Sequence, residues 1–300
     1  LLVDGQRFSA SYANGMANHL AMALVALDRL GASDDRLREF AAMYQRRLRA
    51  KPEAEAKQAT QFAAEFQEKG REAFLRDAVS RLTPGLASEA FHGLIRTAYA
   101  VDSGDDTDLP DAITSWFLGY EELGRFQEPR WESAVDAFMA MNRDDRFPKD
   151  LAGRSITGRI RKIIAIPAFD DYRFGIRNLE LGDLAKIAAL LFLATGDFTI
   201  LHLVTACHAT RILQPYLAAD AVYHLGIAML AAYASIGRAD FDADLQPAPD
   251  RPDWRLLAAR TIPSDDEHDL KLVYSCRQEE AEYGWGLHHM AASARVGSGL

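Results

Sequence analysis

The feature that most restricts the fold is the spacing of apolar residues. In segment after segment they recur at steps of three and four, and nowhere do they alternate as a half-buried strand requires. Residues 18–30 (NHLAMALVALDRL) are typical, and residues 34–49, 53–70, 71–82, 88–101, 109–123 and 129–141 follow the same rule. So do residues 182–195, 198–213, 217–236 and 264–283. All are read as helices. The punctuation agrees: Gly31 follows the first helix as a stop, Pro84-Gly85 breaks the chain, and Gly196-Asp197 separates two apolar runs. The expectation is an all-α fold, an irregular multi-helix bundle, with residues 1–300 forming one helical domain.

Composition narrows the function. At 300 residues and 49% apolar, the chain has ample material for a hydrophobic core, which excludes a disordered segment or a disulfide-stapled miniprotein. A net charge of −9 argues against nucleic acid or an anionic membrane as principal partner. The richest apolar stretch, residues 187–195, is about half the roughly 20 residues a spanning helix needs, so no membrane helix is expected. Cys207 and Cys276 both sit in apolar helical text and read as reduced core thiols, which with the lack of an export signal points to the cytoplasm.

Three polar stretches break the helical text: residues 102–111, 142–150 and 237–253. The last carries three prolines and five aspartates, and at this length it reads as a mobile segment or a cover over a site.

Chemistry concentrates in the histidines. His19 shares a helical stripe with Met22, Ala23, Ala26 and Leu30, which turns it inward. His92 precedes Gly93, a residue that lets another backbone approach, and Ile95, Arg96 and Tyr99 continue its face. His202 lies in text too apolar for a surface helix. Residues 264–267 (SDDE) have the form of a capping box, placing His268 just beyond the first turn of a helix. Lys271, three residues on, shares that face. Spacing alone permits Lys271 to form a surface ion pair with Glu267; turned inward, it must be deprotonated, salt-bridged, or converted by carbon dioxide to a carbamate with ligating oxygens. His208 lies about 120° around the helix from His202, His224 lacks a polar companion, and His288-His289 read as part of a terminal helix with a surface role. Neither a nucleotide-cradling glycine motif, nor a zincin helix, nor a serine-hydrolase elbow is present.

Four blocks carry a family likeness. Asn18-His19 with Met22-Ala23-Leu24 and Leu30-Gly31-Ala32-Ser33 comes first, then Ala90-Phe91-His92-Gly93-Leu94-Ile95-Arg96. FTILHLVT at residues 198–205 and Asp266-Glu267-His268 with Lys271-Leu272-Val273 complete the set, in order, across residues 18–273. Together they resemble the questin oxidase-like family. The resemblance implies an all-helical oxidoreductase related to enzymes that oxidatively open anthraquinone-type rings. It further implies a non-haem iron site, with His19, His92, His202 and His268 as imidazole ligands and Lys271 as a carboxylated lysine. On this reading the cofactors are Fe(II) and a CO₂-derived lysine carbamate, with O₂ as co-substrate and a small quinone or phenol as substrate. Arg96 and Tyr99 are expected to orient the substrate oxygen, and Met22 and Phe91 to line the pocket. Two rivals start from the same residues: a hydrolase whose metal and carbamylated lysine activate water, and a non-catalytic helical interaction protein whose histidines only satisfy core hydrogen bonds.

Overall fold

The computed structural model describes residues 1–124, 127–153, 155–248 and 250–297. Among them the helices run α1 (Leu2–Gly5), α2 (Leu20–Leu30), α3 (Asp34–Gln45), α4 (Glu53–Lys69), α5 (Arg71–Leu82), α6 (Ser88–Ser103) and α7 (Leu109–Leu118). The second half continues with α8 (Ala134–Arg143), α9 (Ile156–Ile164), α10 (Leu181–Thr195), α11 (Phe198–Leu213), α12 (Ala221–Ser235), α13 (Trp254–Thr261), α14 (Glu267–Tyr283) and α15 (Leu287–Gly297). The protein is all-α.

Boundary residues explain most of these ends. Gly31 takes φ 93°, and the amides of Gly31 and Ala32 return to the carbonyls of Asp28 and Leu27, closing α2 in a Schellman turn. Asp197 caps α11 by accepting from the amides of Thr199 and Ile200. Gly119 stops α7 at Leu118, short of the expected residue 123. The predicted helix over residues 129–141 is corrected at its start: Pro129 lies in an extended segment, Gln127–Trp131, and the helix begins only after Ser133, whose hydroxyl accepts from the Asp136 amide.

Short strands are the other departure from the sequence reading. Ser11–Tyr12 pairs antiparallel with Met16–Ala17, and Gln127–Trp131 pairs parallel with Phe174–Ile176. Such brief pairings join segments far too short to show alternation, so periodicity cannot reveal them.

One contiguous apolar core extends from Leu20 to Ala292. At its centre α11 packs on α6 and α14, and α2 packs on the same two helices, so α2, α6, α11 and α14 form a closed ring of neighbours. Leu201, Leu203 and Val204 of α11 are fully buried, each worth roughly 1.5–3 kcal/mol of transfer free energy. Helices buried on every side lose amphipathic contrast, so a histidine on them faces protein whichever way it points.

Among the described residues, the polar segment 237–253 is held by specific contacts, including Arg251 at 3.8 Å from Glu280 of α14. Arg238 is buried and donates to the carbonyls of Asn142 and Phe147, and Asn142 donates to the Arg238 carbonyl and to Asp240. Farther along, Pro247 and Arg251 pack on Gly286. The segment is therefore tied to the 142–149 loop and to the approach to α15; its residue 249 lies outside the described residues. No helix among the described residues is long and apolar enough to cross a membrane.

Candidate metal centre

Each helix of the central ring contributes one imidazole. His19 is the N-cap of α2, His92 lies in α6, His202 lies one turn into α11, and His268 is the second residue of α14. The rings follow the helices around: His19 stacks on His92 with centroids 4.7 Å apart, His92 meets His202 at 5.1 Å, His202 meets His268 at 5.5 Å, and His268 returns to His19 at 4.8 Å. Four histidines spread over most of the chain thus converge on one place.

His92 arrives by an unusual backbone. Glu89, Ala90 and Phe91 take φ values of 47°, 58° and 68°, a left-handed turn built without glycine inside the segment assigned to α6. Left-handed residues with a Cβ cost roughly 1–2 kcal/mol each, so the turn persists only because its surroundings enforce it. Gly93 then lets α6 close on α7: a Cβ there would stand 2.6 Å from the Trp116 side chain and 2.7 Å from its Cα.

The hydrogen bonds fix the tautomers. Nδ1 of His92 donates to the Glu89 carbonyl and Nδ1 of His202 to the Phe198 carbonyl at 2.8 Å; a carbonyl only accepts, so both Nδ1 atoms carry the proton. His19 Nδ1 donates to Glu267 Oε1 at 3.2 Å and His268 Nδ1 to Asp266 Oδ1 at 3.0 Å. In every ring the lone pair is left on Nε2. All four Nε2 atoms are buried without a hydrogen-bond partner, and so is Nζ of Lys271. Five unsatisfied nitrogens gathered in one place match what a metal requires: neutral imidazoles oriented by oxygen acceptors on their far nitrogens.

Electrostatics favour the same state. Burial, followed by the charge of Lys271, brings the His92 imidazolium down to about 3 and also depresses His19 and His268; for His202, burial is followed by His92 and then Lys271. These imidazoles are neutral at pH 7. Lys271 is 0% exposed, and burial pulls its ammonium down to about 8 against the opposing pull of Glu267 and Asp266. The surface ion pair that spacing permits between Lys271 and Glu267 is not what forms; Glu267 turns to His19 instead.

Glu267 also lies 3.7 Å from His268 Nδ1, so a carboxylate and two imidazoles crowd within 4.8 Å of one another. Because these contacts run through the proton-bearing Nδ1 atoms, the carboxylate orients the rings rather than completing the set of unsatisfied nitrogens. Its part was missed in the sequence, although the Asp266-Glu267-His268 adjacency was the signal available.

Several expected roles are revised. The SDDE capping box is replaced by a single cap, Asp266, so His268 lies within the first turn rather than beyond it. Arg96 is buried against Asp108 at 2.9 Å and lies 3.9 Å from Asp111, which occupies its guanidinium with carboxylates instead of a substrate oxygen. The Tyr99 hydroxyl lies 3.3 Å from both the Lys271 carbonyl and Ser275 Oγ, so it braces α14. Phe91 and Met22 are buried. His208 bonds to Ser275, away from the ring of four, and His224 lies 3.4 Å from Asp220. His288 and His289, expected at the surface, are buried, because α15 packs on α10 and α14.

Fold and site together define an all-helical protein with a four-histidine, one-lysine centre whose Nε2 and Nζ atoms are buried. The family model of questin oxidase-like proteins matches residues 16–276, which span all five of those side chains, and the chain belongs to that family. Membership implies an oxidoreductase. No curated protein matches the chain.

Proposed function

We propose that this protein is a non-haem Fe(II) oxygenase that oxidises a quinone- or phenol-type aromatic substrate with O₂, with oxidative ring opening as the outcome. The observation that carries the reading is the set of four buried Nε2 atoms and one buried Nζ, all without partners, on four helices that pack in a ring. Leaving a buried polar atom unsatisfied costs about 1–3 kcal/mol, so five in one place call for a ligand. Nitrogen and oxygen donors suit Fe(II), which supplies one-electron chemistry with O₂ that side chains alone lack.

His19, His92, His202 and His268 hold the metal through Nε2. Lys271 would support it as a carbamate: the ammonium first gives up one proton, the neutral amine attacks CO₂, a C–N bond forms as one C=O π bond opens onto oxygen, and a second proton leaves nitrogen, so that two protons are released and an anion with two oxygens replaces the cation beside the imidazoles. Burial favours this step by keeping a share of the amine unprotonated near neutral pH. Glu267, Asp266 and the carbonyls of Glu89 and Phe198 hold the four Nδ1 protons and so keep each lone pair inward. Burial of the four Nε2 atoms and of Nζ keeps bulk water from these nitrogens.

The test is anaerobic purification with metal analysis, then O₂ uptake over a series of hydroxyanthraquinones, for wild type, His92→Ala and Lys271→Ala. The expected result is stoichiometric iron and O₂ uptake in wild type and loss of both in the variants. Unchanged iron in both variants sinks the assignment of the centre. Turnover without O₂ consumption transfers the reading to hydrolysis.

A further inference from the structure

The four Nε2 atoms and Nζ of the centre are buried, yet an organic substrate must reach them. Phe198 stands at its edge: the ring centroid lies 4.8 Å from that of His202 and 4.6 Å from that of His268, while half of the residue (50%) is exposed to solvent. A large apolar side chain that is half in water and half against two imidazoles is a cover, and the position is built for one. Its backbone is fixed by the Asp197 cap at the start of α11, and its carbonyl receives the His202 Nδ1 proton. The side chain has no polar atom, so swinging it away breaks no hydrogen bond and leaves His202 oriented. Helical residues keep two accessible χ1 wells, which gives the ring somewhere to go.

We infer that Phe198 is the gate of the histidine centre and its specificity-determining residue: the ring swings outward and the flat ring of an aromatic substrate takes its place against His202 and His268. The inference rests on the function proposed above and adds the residue that selects for flat aromatic substrates. An incoming aromatic ring restores the edge and face contacts that the phenyl ring gives up, whereas an aliphatic molecule of the same size does not. The exchange is thus closest to balanced for aromatic ligands.

Two measurements test it. With Fe(II)-loaded protein under anaerobic conditions, iron removal by 1,10-phenanthroline is followed by the colour of the released complex. Phe198→Ala is expected to release iron at least tenfold faster than wild type and Phe198→Trp more slowly, with iron stoichiometry and thermal midpoint held; Phe198→Leu serves if the alanine variant fails to fold. Equal rates in all forms overturn the gate while leaving the iron assignment intact. With metal-free Phe198→Trp, the indole emission is expected to change on adding 1,8-dihydroxyanthraquinone beyond the change seen in wild type; no added change overturns the exchange. If no form binds iron, the proposed function fails and this second measurement alone decides whether Phe198 yields to an aromatic ligand.

Discussion

Glu267 Oε1 accepts the Nδ1 proton of His19 at 3.2 Å across 248 residues of sequence, and both groups are buried. That bond holds the first histidine to the helix that carries the last one. Outer-shell acceptors of this kind are worth about 10–100-fold in metal affinity. Glu267→Ala is expected to weaken Fe(II) or Co(II) binding by that factor in a competition titration, and Glu267→Gln, which keeps an oxygen acceptor, to recover part of the loss. Equal affinities in all three proteins would show that His19 needs no orienting partner.

Gly93 is the second point on which the centre depends. A methyl group at this position meets Trp116 at 2.6 Å, well inside contact distance, and the obstruction includes backbone. Overpacking of this sort costs roughly 1–3 kcal/mol. Gly93→Ala is expected to lower the unfolding free energy by that amount in a denaturant titration. It should also reduce bound metal, since α6 can retreat from α7 only by carrying His92 with it. A variant as stable as wild type would mean that the two helices have room to spare.

The left-handed turn before His92 makes a prediction of opposite sign. At Glu89, φ is 47° and the side chain is exposed, so exchanging it for alanine retains the backbone strain while glycine removes it. Glu89→Gly is expected to be more stable than Glu89→Ala by about 1 kcal/mol, the reverse of the usual helical order. Thermal unfolding of the pair decides the matter: alanine above glycine would show that the turn is not left-handed in solution.

A pH dependence arises at the other end of α14. Glu279 is fully buried, and although Arg211 Nε donates to Oε1 at 2.7 Å, burial outweighs the ion pair and lifts the carboxyl to about 7. Between the ordinary glutamate value near 4.5 and 7, the folded chain keeps a proton that the unfolded chain has lost, so stability falls as pH rises through that window. Relative to Glu279→Gln, wild type is expected to lose roughly 1–3 kcal/mol between pH 5 and pH 8. Chemical denaturation at the two pH values tests this, and a flat difference would mean that the Arg211 pair governs instead.

Much of the centre was legible because burial of a histidine can be read from its neighbours. His19 and His202 lie among apolar neighbours on their own helical stripes, and Gly93 announced the close approach of a second helix, here Trp116 on α7. Illegible features depend on contacts between distant segments. Spacing offered Glu267 to Lys271, while the folded chain gives it to His19. The turn at Glu89–Phe91 uses residues with no local preference for positive φ, so only the surrounding structure accounts for it. His288 and His289 are ordinary in sequence and become interior only when α15 docks. Arg96 reads as a functional cation until Asp108 is placed beside it.

One more consequence follows from where the four imidazoles sit along their helices. His19 and His268 occupy the very start of α2 and α14, His202 lies one turn from the start of α11, and His92 opens the right-handed part of α6. Each helix beginning presents unsatisfied amides equivalent to about half a positive charge, an influence that fades within a turn. Four such partial charges beside one site make a local field that works with burial and against the pull of Asp266 and Glu267. That field resists an imidazolium or an ammonium there and welcomes negative charge, whether on a carbamate at Lys271 or on the phenolate oxygen of a bound aromatic.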